Sequence, residues 1–330
     1  MIKNFFKRIF IQIARLLDYE IIDQNNFTSP TLNTSLKENI SKINKKSIVL
    51  PLGEVKITRK VNSLLIILRS NTKINIWDQN KKRIFEKAKN EYTLRSLNSL
   101  TNSLIKAKSK FQNINFKMII VDDNSENFIL EKIDKLLKKN NFETRIENLN
   151  KSEFENFIAD KKNSETYCNL SSLLKCFHIA KDEAEDLVLF VEDDYLHEDS
   201  MIEEMLMTYE RLSSQLNNEV FLCPADYPFF YDTNNKTNIL IGSHRHWQII
   251  NKTLCTFLTS KIIINEYWEN FSKNCEKRHD PFEKYLNEIY RKEYCLSPIP
   301  SLSVHFTNIN SSYGISPHVD MKKLWDRNKI

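Results

Sequence analysis

The sequence predicts an α/β protein with a mostly parallel central sheet that is flanked by helices. Short apolar segments, among them SLLIILRS (63–70), KMIIVDDNS (117–125) and LVLFV (187–191), alternate along the chain with segments of helical periodicity. These apolar segments lack polar alternation, which is typical of parallel strands that are covered on both faces. At 330 residues the chain is long enough for one large domain of this class or for two ordinary ones.

Helices are predicted where apolar residues recur at a spacing of three or four residues. Leu94, Leu97, Leu100 and Leu104 follow this spacing in the segment 80–109. The other predicted helices are 127–139, 168–183, 199–213, 259–272 and 280–291, and the other predicted strands are 142–146, 220–224, 238–241, 247–250 and 301–306.

Composition divides the chain into four parts. They are a basic amphipathic helix (1–23), a polar linker and lead-in (24–60), an α/β half (61–225) and an irregular α+β region with a loop-rich tail (226–330). We expect the last two parts to form one domain, because the strands of both can join a single sheet.

The amino-terminal segment places Phe6, Phe10, Ile13 and Leu17 on one helical face. It has neither a long uncharged apolar run nor a small-residue cleavage site, so a transmembrane span or a secretory signal fits poorly. Two interpretations stay open: a helix that lies on an anionic membrane, and a helix that docks on the body of the protein.

Net charge and cysteine usage limit the partners and the compartment. The net charge is +5 with dispersed bases, which gives no reason to expect a nucleic-acid partner. The six cysteines match no zinc or disulfide spacing, so a reducing compartment is the simpler interpretation. We therefore expect a cytoplasmic protein, peripheral on the inner face of a membrane if the first helix binds lipid.

Glycine is scarce, and this excludes two common ways of binding nucleotides. Only Gly53, Gly242 and Gly314 occur, so neither GxGxxG nor the Walker loop can be written in this sequence. A dinucleotide-binding dehydrogenase and a P-loop kinase are therefore poor candidates. Any nucleotide phosphates would have to be held by side chains and a metal ion.

Three consecutive acids, Glu192, Asp193 and Asp194, follow the apolar strand 187–191. Adjacent carboxylates repel one another unless water or a cation lies between them. Glu192 and Asp194 would point to the same side of an extended backbone, where hard oxygen ligands suit Mg²⁺ or Mn²⁺. The alternative is a solvated strand end without a metal.

A second acidic cluster, VDDNS, ends the strand that begins at residue 117. There Asp122 or Asp123 can accept hydrogen bonds from a base or a ribose, or the segment can form an Asx turn with Asn124 or Ser125 as the cap of the next helix. Because ligands bind beyond the carboxyl ends of parallel strands, we expect both clusters to reach one crevice.

The order of these motifs resembles that of the GT-A glycosyltransferases, most of all family 2 and its relatives, over residues 62–225. The resemblance implies a GT-A-like (Rossmann-like) fold, with Arg69 and Ser70 in the loop that meets the nucleotide. It also implies that Asp123 contacts the base and that Asp122 supports the same loop.

The same resemblance makes Glu192-Asp193-Asp194 the DxD-type motif, with Glu192 and Asp193 at the donor and Asp194 on a Mn²⁺ or Mg²⁺ ion. It implies an enzyme that moves one sugar from a nucleotide-sugar, of which a UDP-sugar is the expected form, to a hydroxyl of a glycan or lipid-linked glycan, with inversion. Two departures are Asn124, where glycine is common, and the absence of QxxRW and of transmembrane helices. The absence of QxxRW and of transmembrane helices argues against a polysaccharide polymerase and for single-sugar transfer.

In family 2 the catalytic base is an acid at a helix start in the carboxyl-terminal half. KRHDPFEKYL places Asp280 before Pro281 and a helical run, so Asp280 is the candidate base or simply a helix cap. Asp226, in CPADYP, is its rival.

Further candidates lie after residue 240. His305, at the end of SLSVHF, and His318, in ISPHVD, are candidates to complete the metal shell, or they are ordinary core and surface histidines. SHRHWQ combines side chains that stack on sugars and pair with phosphates, unless it is only a wet strand edge. The candidate acceptor-binding residues are His244, Arg245, His246 and Trp247.

Two other functions stay open. One is a sugar-nucleotide nucleotidyltransferase, although ILRSNTKIN lacks the glycine-rich loop that such enzymes carry after strand one. The other is a sugar-binding relative without catalytic activity.

Overall fold

The computed structural model describes residues 2–19, 56–73, 83–138, 142–161, 164–232, 236–307 and 311–330. Contacts divide the chain into two units, Met1–Ile57 and Thr58–Ile330. In the first unit the helix α1 covers Ile2–Leu16. The predicted amino-terminal helix is therefore confirmed over these residues, whereas most of the predicted linker lies outside the described ones.

The second unit contains a mixed α/β arrangement of short elements. Its strands are β1 Ser63–Ser70, β2 Asn115–Asp122, β3 Glu143–Asn148, β4 Leu187–Glu192, β5 Tyr195–His197, β6 Val220–Leu222, β7 Ile239–Ile241, β8 His246–Ile250, β9 Phe257–Ser260, β10 Tyr294–Ile299 and β11 Ser303–His305. Its helices are α2 Lys89–Lys110, α3 Asn127–Lys138, α4 Ser164–Glu183, α5 Met201–Leu216, α6 Lys261–Glu266, α7 Trp268–Asn274, α8 Lys284–Tyr290 and α9 Met321–Arg327. None of the described helices is both long and apolar enough to cross a membrane.

Within the described residues, nine strands form one sheet in the order β3-β2-β1-β4-β9-β6-β10-β8-β7. Strands β3, β2, β1 and β4 are parallel, β9 is antiparallel to its neighbours β4 and β6, and β10 is parallel to β6. Only β8 and β9 run against the common direction, since β8 pairs antiparallel with both β10 and β7. The predicted mostly parallel sheet with flanking helices is confirmed.

Strand β1 explains why an unbroken apolar run is needed. Leu65 and Ile67 point into one hydrophobic core, together with residues of α4 and α7. Leu64, Ile66 and Leu68 point into the core on the other face, which α2, α3 and α5 cover. Both faces of the strand are thus buried, and each such side chain contributes about 1.5 to 3 kcal/mol of burial free energy.

The prediction of a helix from residue 259 is wrong at its start. Phe257–Ser260 is strand β9, inserted antiparallel between β4 and β6, and the Ser260 hydroxyl then accepts from the Ile263 N–H to cap α6. Strands β5 and β10 and helix α9 lie in segments without an assigned element. Elements of three to seven residues are too short for their periodicity to be distinctive.

The small sheet formed by β5 and β11 joins the end of β4 to the tail of the chain. Tyr195 pairs with His305 and His197 with Ser303 in an antiparallel register. This pairing brings a residue from the carboxyl-terminal region beside the acids of β4. It is the feature of the fold that most directly positions the site.

His197 is fully buried in this small sheet. Its Nδ1 lies 2.7 Å from the Ser303 hydroxyl, and its Nε2 has no hydrogen-bond partner among the described residues. Burial lowers the pKa of His197 to about 3, because a charged imidazole could not be solvated there.

We expect His197 to make the protein sensitive to acid. Its folded pKa of about 3 lies below the ordinary value, so its contribution to stability is complete above the ordinary value and is lost as the pH falls towards 3. Between about pH 7 and about pH 5 this loss amounts to about 2 kcal/mol. Urea unfolding at both pH values should show a smaller loss for His197→Asn than for the wild type. Equal losses would contradict this role.

Candidate functional site

The sequence led us to expect Glu192 and Asp194 on the same side of an extended strand, but the extended backbone ends at Glu192. Strand β4 ends at Glu192, and Asp193 and Asp194 form a turn before β5 begins. Each carboxylate lies near at least one basic side chain, and Lys89 lies near both Asp193 and Asp194. Glu192 pairs with the Arg69 guanidinium at 2.5 Å, and Asp193 pairs with the Lys89 ammonium at 2.6 Å.

Asp193 joins three parts of the chain. One of its carboxylate oxygens accepts from the Thr93 hydroxyl at 2.7 Å and from the backbone N–H of Asn71 at 3.2 Å, while the other accepts from Lys89. The side chain is buried, so these bonds are made where water cannot replace them. Asp193 therefore anchors α2 and the loop after β1 to the end of β4, which is a supporting role.

Asp194 lies among three positively charged or ionisable groups. Its oxygens are 3.4 Å from His305 Nε2, 3.6 Å from Lys89 Nζ and 3.8 Å from Arg83 Nη1. Burial opposes the ionisation of Asp194, but Lys89, His305 and Arg83 outweigh it and hold the pKa of Asp194 well below its usual range. Asp194 is therefore a carboxylate at neutral pH.

His305 is oriented by the residues around it. Its Nδ1–H donates to the Tyr313 carbonyl at 3.0 Å, which leaves Nε2 towards Asp194, and its ring stacks on Tyr195 with centroids 4.5 Å apart. Burial would lower the pKa of His305, but the charge of Asp194 outweighs this and raises it. A second hydrogen bond of this kind is also what fixes a metal-binding histidine.

Two residues in this part of the structure, Asp194 and His305, could ligate a divalent cation. No group of three or more His, Cys, Asp or Glu side chains in the described part of the chain is arranged to hold a metal. Asp194 and His305 offer one carboxylate oxygen and one imidazole nitrogen, a donor set that suits Mn²⁺. Such an ion would need oxygens from a substrate or from water to complete its shell.

The second acidic cluster forms a turn at the end of β2. Asp122 accepts from the Ser70 hydroxyl at 2.7 Å and from the Ser125 N–H at 2.8 Å, so it holds the loops after β1 and β2 together. Asn124 has a φ of 61°, a left-handed conformation that asparagine tolerates better than most residues. This explains why asparagine is tolerated at a position where glycine is common in the family that the motifs resemble.

Each oxygen of the Asp123 carboxylate has a hydrogen-bond donor from another residue close to it. Asn71 Nδ2 donates to one oxygen at 2.8 Å, and Lys151 Nζ lies 2.7 Å from the other. The Asn71 amide is oriented by a further bond, in which its Oδ1 accepts from the Lys73 N–H at 3.0 Å. Lys151 also approaches the Cys168 thiol at 2.8 Å.

Asp123 and Asp194 line the same cavity of about 270 Å³, although 71 residues separate them in the sequence. The expectation that both acidic clusters reach one crevice is therefore confirmed. We call this the smaller cavity. Its other lining residues are Arg69, Ser70, Asn71, Arg83, Lys89, Glu165, Cys168, Asn169, Ser172, Glu192, Asp193, His305 and Thr307.

A larger cavity of about 920 Å³ adjoins the smaller one. Arg69, Asn169 and Glu192 line both cavities and so form the wall between them. The wall is held by Arg69, which bonds Glu192 on one side and the Asn169 side chain on the other, each at 2.5 Å. Asp280 and Glu283 also line the larger cavity.

Of these two acids, Glu283 has the more unusual environment. Burial and the nearby charge of Glu192 raise the pKa of Glu283 to about 7. Asp280 is exposed to solvent at the rim. A carboxyl group with a pKa near 7 can hold or release a proton at physiological pH.

Asp226, the other candidate base, lies in a separate cluster. Its carboxylate accepts from the Tyr231 hydroxyl at 2.6 Å and from the Gln248 amide at 3.0 Å. Burial raises the pKa of Asp226 to about 6. Neither Asp226 nor His318, which is exposed, lines the two cavities, so the structure does not bring them to Asp194.

The segment 244–247 contains one buried ring and three side chains that reach the surface. Trp247 is completely buried, with its Nε1 3.4 Å from Glu204, so the prediction that its ring meets an acceptor is wrong. Its indole fits only because Gly242 has no side chain: a Cβ there would lie 2.3 Å from the Trp247 Nε1. None of the four candidates lines either cavity.

The other three residues of that segment are held at the surface. His244 Nδ1 lies 3.0 Å from Glu204, Arg245 donates to the Pro300 carbonyl at 2.7 Å, and His246 is exposed. These contacts fit the alternative interpretation of a wet strand edge.

Sequence reasoning did not identify the basic side chains that pair with Asp123, Asp193 and Asp194, and it did not identify Glu283. Arg83, Lys89 and Lys151 carried no sequence signal, since single basic residues are abundant in this chain. Glu283 stands three residues after Asp280 in the segment that was singled out, but only the fold distinguishes a cavity residue from a rim residue.

No protein-family model matches this chain, and no curated protein matches it.

Solved structures match at low identity. The structure of S. aureus TarS is 14% identical with a TM-score of 0.36, over 68% of this chain and 34% of TarS, so this chain spans about a third of that protein's length. The galactosyltransferase LgtC, in complex with donor and acceptor sugar analogues, is 10% identical with a TM-score of 0.35, over 69% of this chain and 70% of LgtC. The UTP-bound UGPase from Acinetobacter baumannii is 8% identical with a TM-score of 0.39, over 81% of this chain and 93% of that one. Likeness at this level assigns no activity to the chain.

Asp193→Asn should destabilise the protein. The substitution leaves the Lys89 ammonium without its closest carboxylate in a site that water hardly reaches, which we expect to lower the free energy of unfolding by about 1 to 3 kcal/mol. Asp199, whose carboxylate lies 3.4 Å from Arg327 and is half exposed, gives the matched control. Asp199→Asn should cost less than about 1 kcal/mol. Urea unfolding measures both, and equal losses would contradict a supporting role for Asp193.

Proposed function

We propose that this protein is a glycosyltransferase that moves one sugar from a nucleotide-sugar to an acceptor hydroxyl. The observation that carries the proposal is the pair of adjoining cavities. The smaller one contains the Asp123 carboxylate, which could bind a nucleobase, and the Asp194 carboxylate, which lies beside the basic side chains of Arg83 and Lys89. The larger one contains a carboxyl group that can accept a proton.

The donor would lie in the smaller cavity. Its diphosphate would meet Arg83 and Lys89, whose charges are now shared with Asp194 and Asp193. A diphosphate needs such compensation because this chain has no glycine-rich loop to cradle phosphates with backbone N–H groups. The donor nucleotide is thus held by side chains.

A divalent cation, Mn²⁺ or Mg²⁺, would be held by Asp194 and His305 with the donor's phosphate oxygens. When bound, such an ion neutralises the charge that develops on the leaving nucleoside diphosphate. Asp194 would bind as the ionised carboxylate, and the Tyr313 carbonyl would keep the His305 Nε2 directed at the same point. Lys89 and Arg83 would stabilise the same charge from the other side.

Asp123, Asn71 and Lys151 support a uracil base in the donor. Lys151 and Asn71 hold the two oxygens of the Asp123 carboxylate, so the three side chains would offer a donor, an acceptor and a donor to a nucleobase. The edge of uracil presents the complement, an acceptor (O4), a donor (N3–H) and an acceptor (O2). Guanine and cytosine present different orders along that edge. The donor is therefore proposed to be a UDP-sugar.

The acceptor, a glycan or lipid-linked glycan, would lie in the larger cavity, with its hydroxyl near the wall between the two. In the reaction the acceptor oxygen forms a bond to the sugar C1 while the bond from C1 to the diphosphate oxygen breaks. Glu283 would take the hydroxyl proton, and the nucleoside diphosphate would leave with the bonding electrons. A single displacement of this kind inverts the configuration at C1.

UDP should bind far more tightly with Mn²⁺ than without it, and Mn²⁺ alone should bind weakly, because Asp194 and His305 are only two ligands. Isothermal titration calorimetry measures all three combinations. UDP should also bind more tightly than GDP or CDP. Asp194→Asn should abolish the effect of Mn²⁺, and Asp123→Ala should abolish the preference for UDP.

Two controls accompany this titration. Asp199→Asn, far from both cavities, should bind UDP and Mn²⁺ as the wild type does. Absence of binding by any nucleotide would contradict the proposal and favour a protein without this activity. Turnover of UTP and a sugar 1-phosphate, in place of transfer from a nucleotide-sugar, would indicate a nucleotidyltransferase instead.

Glu283→Gln should lower kcat by roughly 10²- to 10⁴-fold and leave the donor KM nearly unchanged, as expected for loss of a general base. The wild-type rate should rise with pH through about 7, since Glu283 must be ionised to accept a proton. The variant should lack this rise. Steady-state kinetics across this pH range, with nucleoside diphosphate release as the signal, measures both effects.

Asp280→Asn is the matched comparison, because Asp280 lines the same cavity but is exposed. We expect it to retain most of the activity and the rise with pH. A larger loss in Asp280→Asn than in Glu283→Gln would transfer the base role to Asp280.

A further inference from the structure

The helix α1 exposes a continuous apolar stripe. Phe6, Phe10 and Ile13 are 64%, 63% and 51% exposed, and Leu17, in the turn after the helix, is 65% exposed. Their spacing of four, three and four residues aligns them along one side of a helix. Water contact with four large apolar side chains on one short helix is unfavourable, and it indicates a surface that is covered in another environment.

The charge of the same helix is of one sign only. Ile2–Leu16 contains Lys3, Lys7, Arg8 and Arg15 and no acidic residue. At about 100° per residue, the positions of the last three fall outside the apolar stripe. The helix therefore has an apolar stripe along one side, and all of its charged residues are basic.

The apolar stripe and the basic residues together indicate which kind of partner could cover this side of α1. Two copies of α1 packed on each other would bring like charges together, with no acid on the helix to compensate them. An anionic lipid surface meets both needs, since it accepts apolar side chains below its headgroups and attracts bases around them.

The length of the helix decides how it would sit. Fifteen residues span about 22 Å, which is less than the roughly 30 Å of a bilayer's hydrocarbon core. We propose that α1 lies in the surface of anionic membranes, with its apolar stripe between headgroups and acyl chains and its bases at the phosphates. This inference goes beyond the proposed transfer activity and does not depend on it.

The test is sedimentation of the full chain with vesicles of phosphatidylcholine alone and with vesicles that also contain phosphatidylglycerol. The protein should bind the second kind, and salt should weaken binding because charge contributes to it. Phe10→Ser with Ile13→Ser, and separately Lys7→Gln with Arg8→Gln, should each lower binding by about tenfold or more. The first pair removes apolar contact without changing charge, and the second removes charge without changing the stripe.

Lys322→Gln with Lys323→Gln is the matched control, because it removes the same charge from exposed positions on α9. This variant should bind vesicles like the wild type, and UDP titration and circular dichroism should be unchanged in all variants. If the α9 variant lost vesicle binding to the same extent, binding would depend on net charge alone, and the proposal would be overturned. Absence of vesicle binding by the wild type, or a dimer that Phe10→Ser with Ile13→Ser converts to monomer, would also overturn it.

Discussion

Three carboxylates in a row at the end of β4 are tolerable because each meets a positive charge from another part of the chain. Glu192 meets Arg69 of β1, Asp193 meets Lys89 of α2, and Asp194 lies among Lys89, Arg83 and His305. Buried charges left without partners would cost several kcal/mol each. The end of β4 therefore requires the start of α2, the end of β1 and the small sheet to converge there, and the architecture of the site follows from that requirement.

This compensation also divides the roles of the three acids. Glu192 is held by Arg69 in the wall between the two cavities, and Asp193 accepts three hydrogen bonds that join α2 to the loop after β1. Asp194 keeps looser contacts of 3.4 to 3.8 Å with its neighbours. Of the three, it has the longest contacts with its basic neighbours, which is what the proposed binding of an ion and a diphosphate would require.

The prediction of the site from sequence succeeded where chemistry and strand order were enough. Asp123 and Asp194 do line one cavity, and His305 does lie beside Asp194. It failed for Trp247, because an aromatic residue next to basic residues gives the same sequence pattern whether its ring packs against a glycine or faces a ligand. It overlooked Glu283, because the distinction between an exposed Asp280 and an acid inside the cavity depends on how the start of α8 is packed.

The sequence by itself determined the α/β class, since unbroken apolar strands and periodic helices record burial of each residue locally. It also excluded the GxGxxG and Walker loops, because glycine is too scarce for either motif. Only the tertiary structure decided which base compensates which acid. Arg69 stands opposite Glu192 because β1 and β4 pair in one particular register, and such pairing joins residues more than a hundred positions apart. Strands β1 and β4 are apolar on both faces, so their residue pattern does not specify the register, which is decided by the packing of the whole sheet.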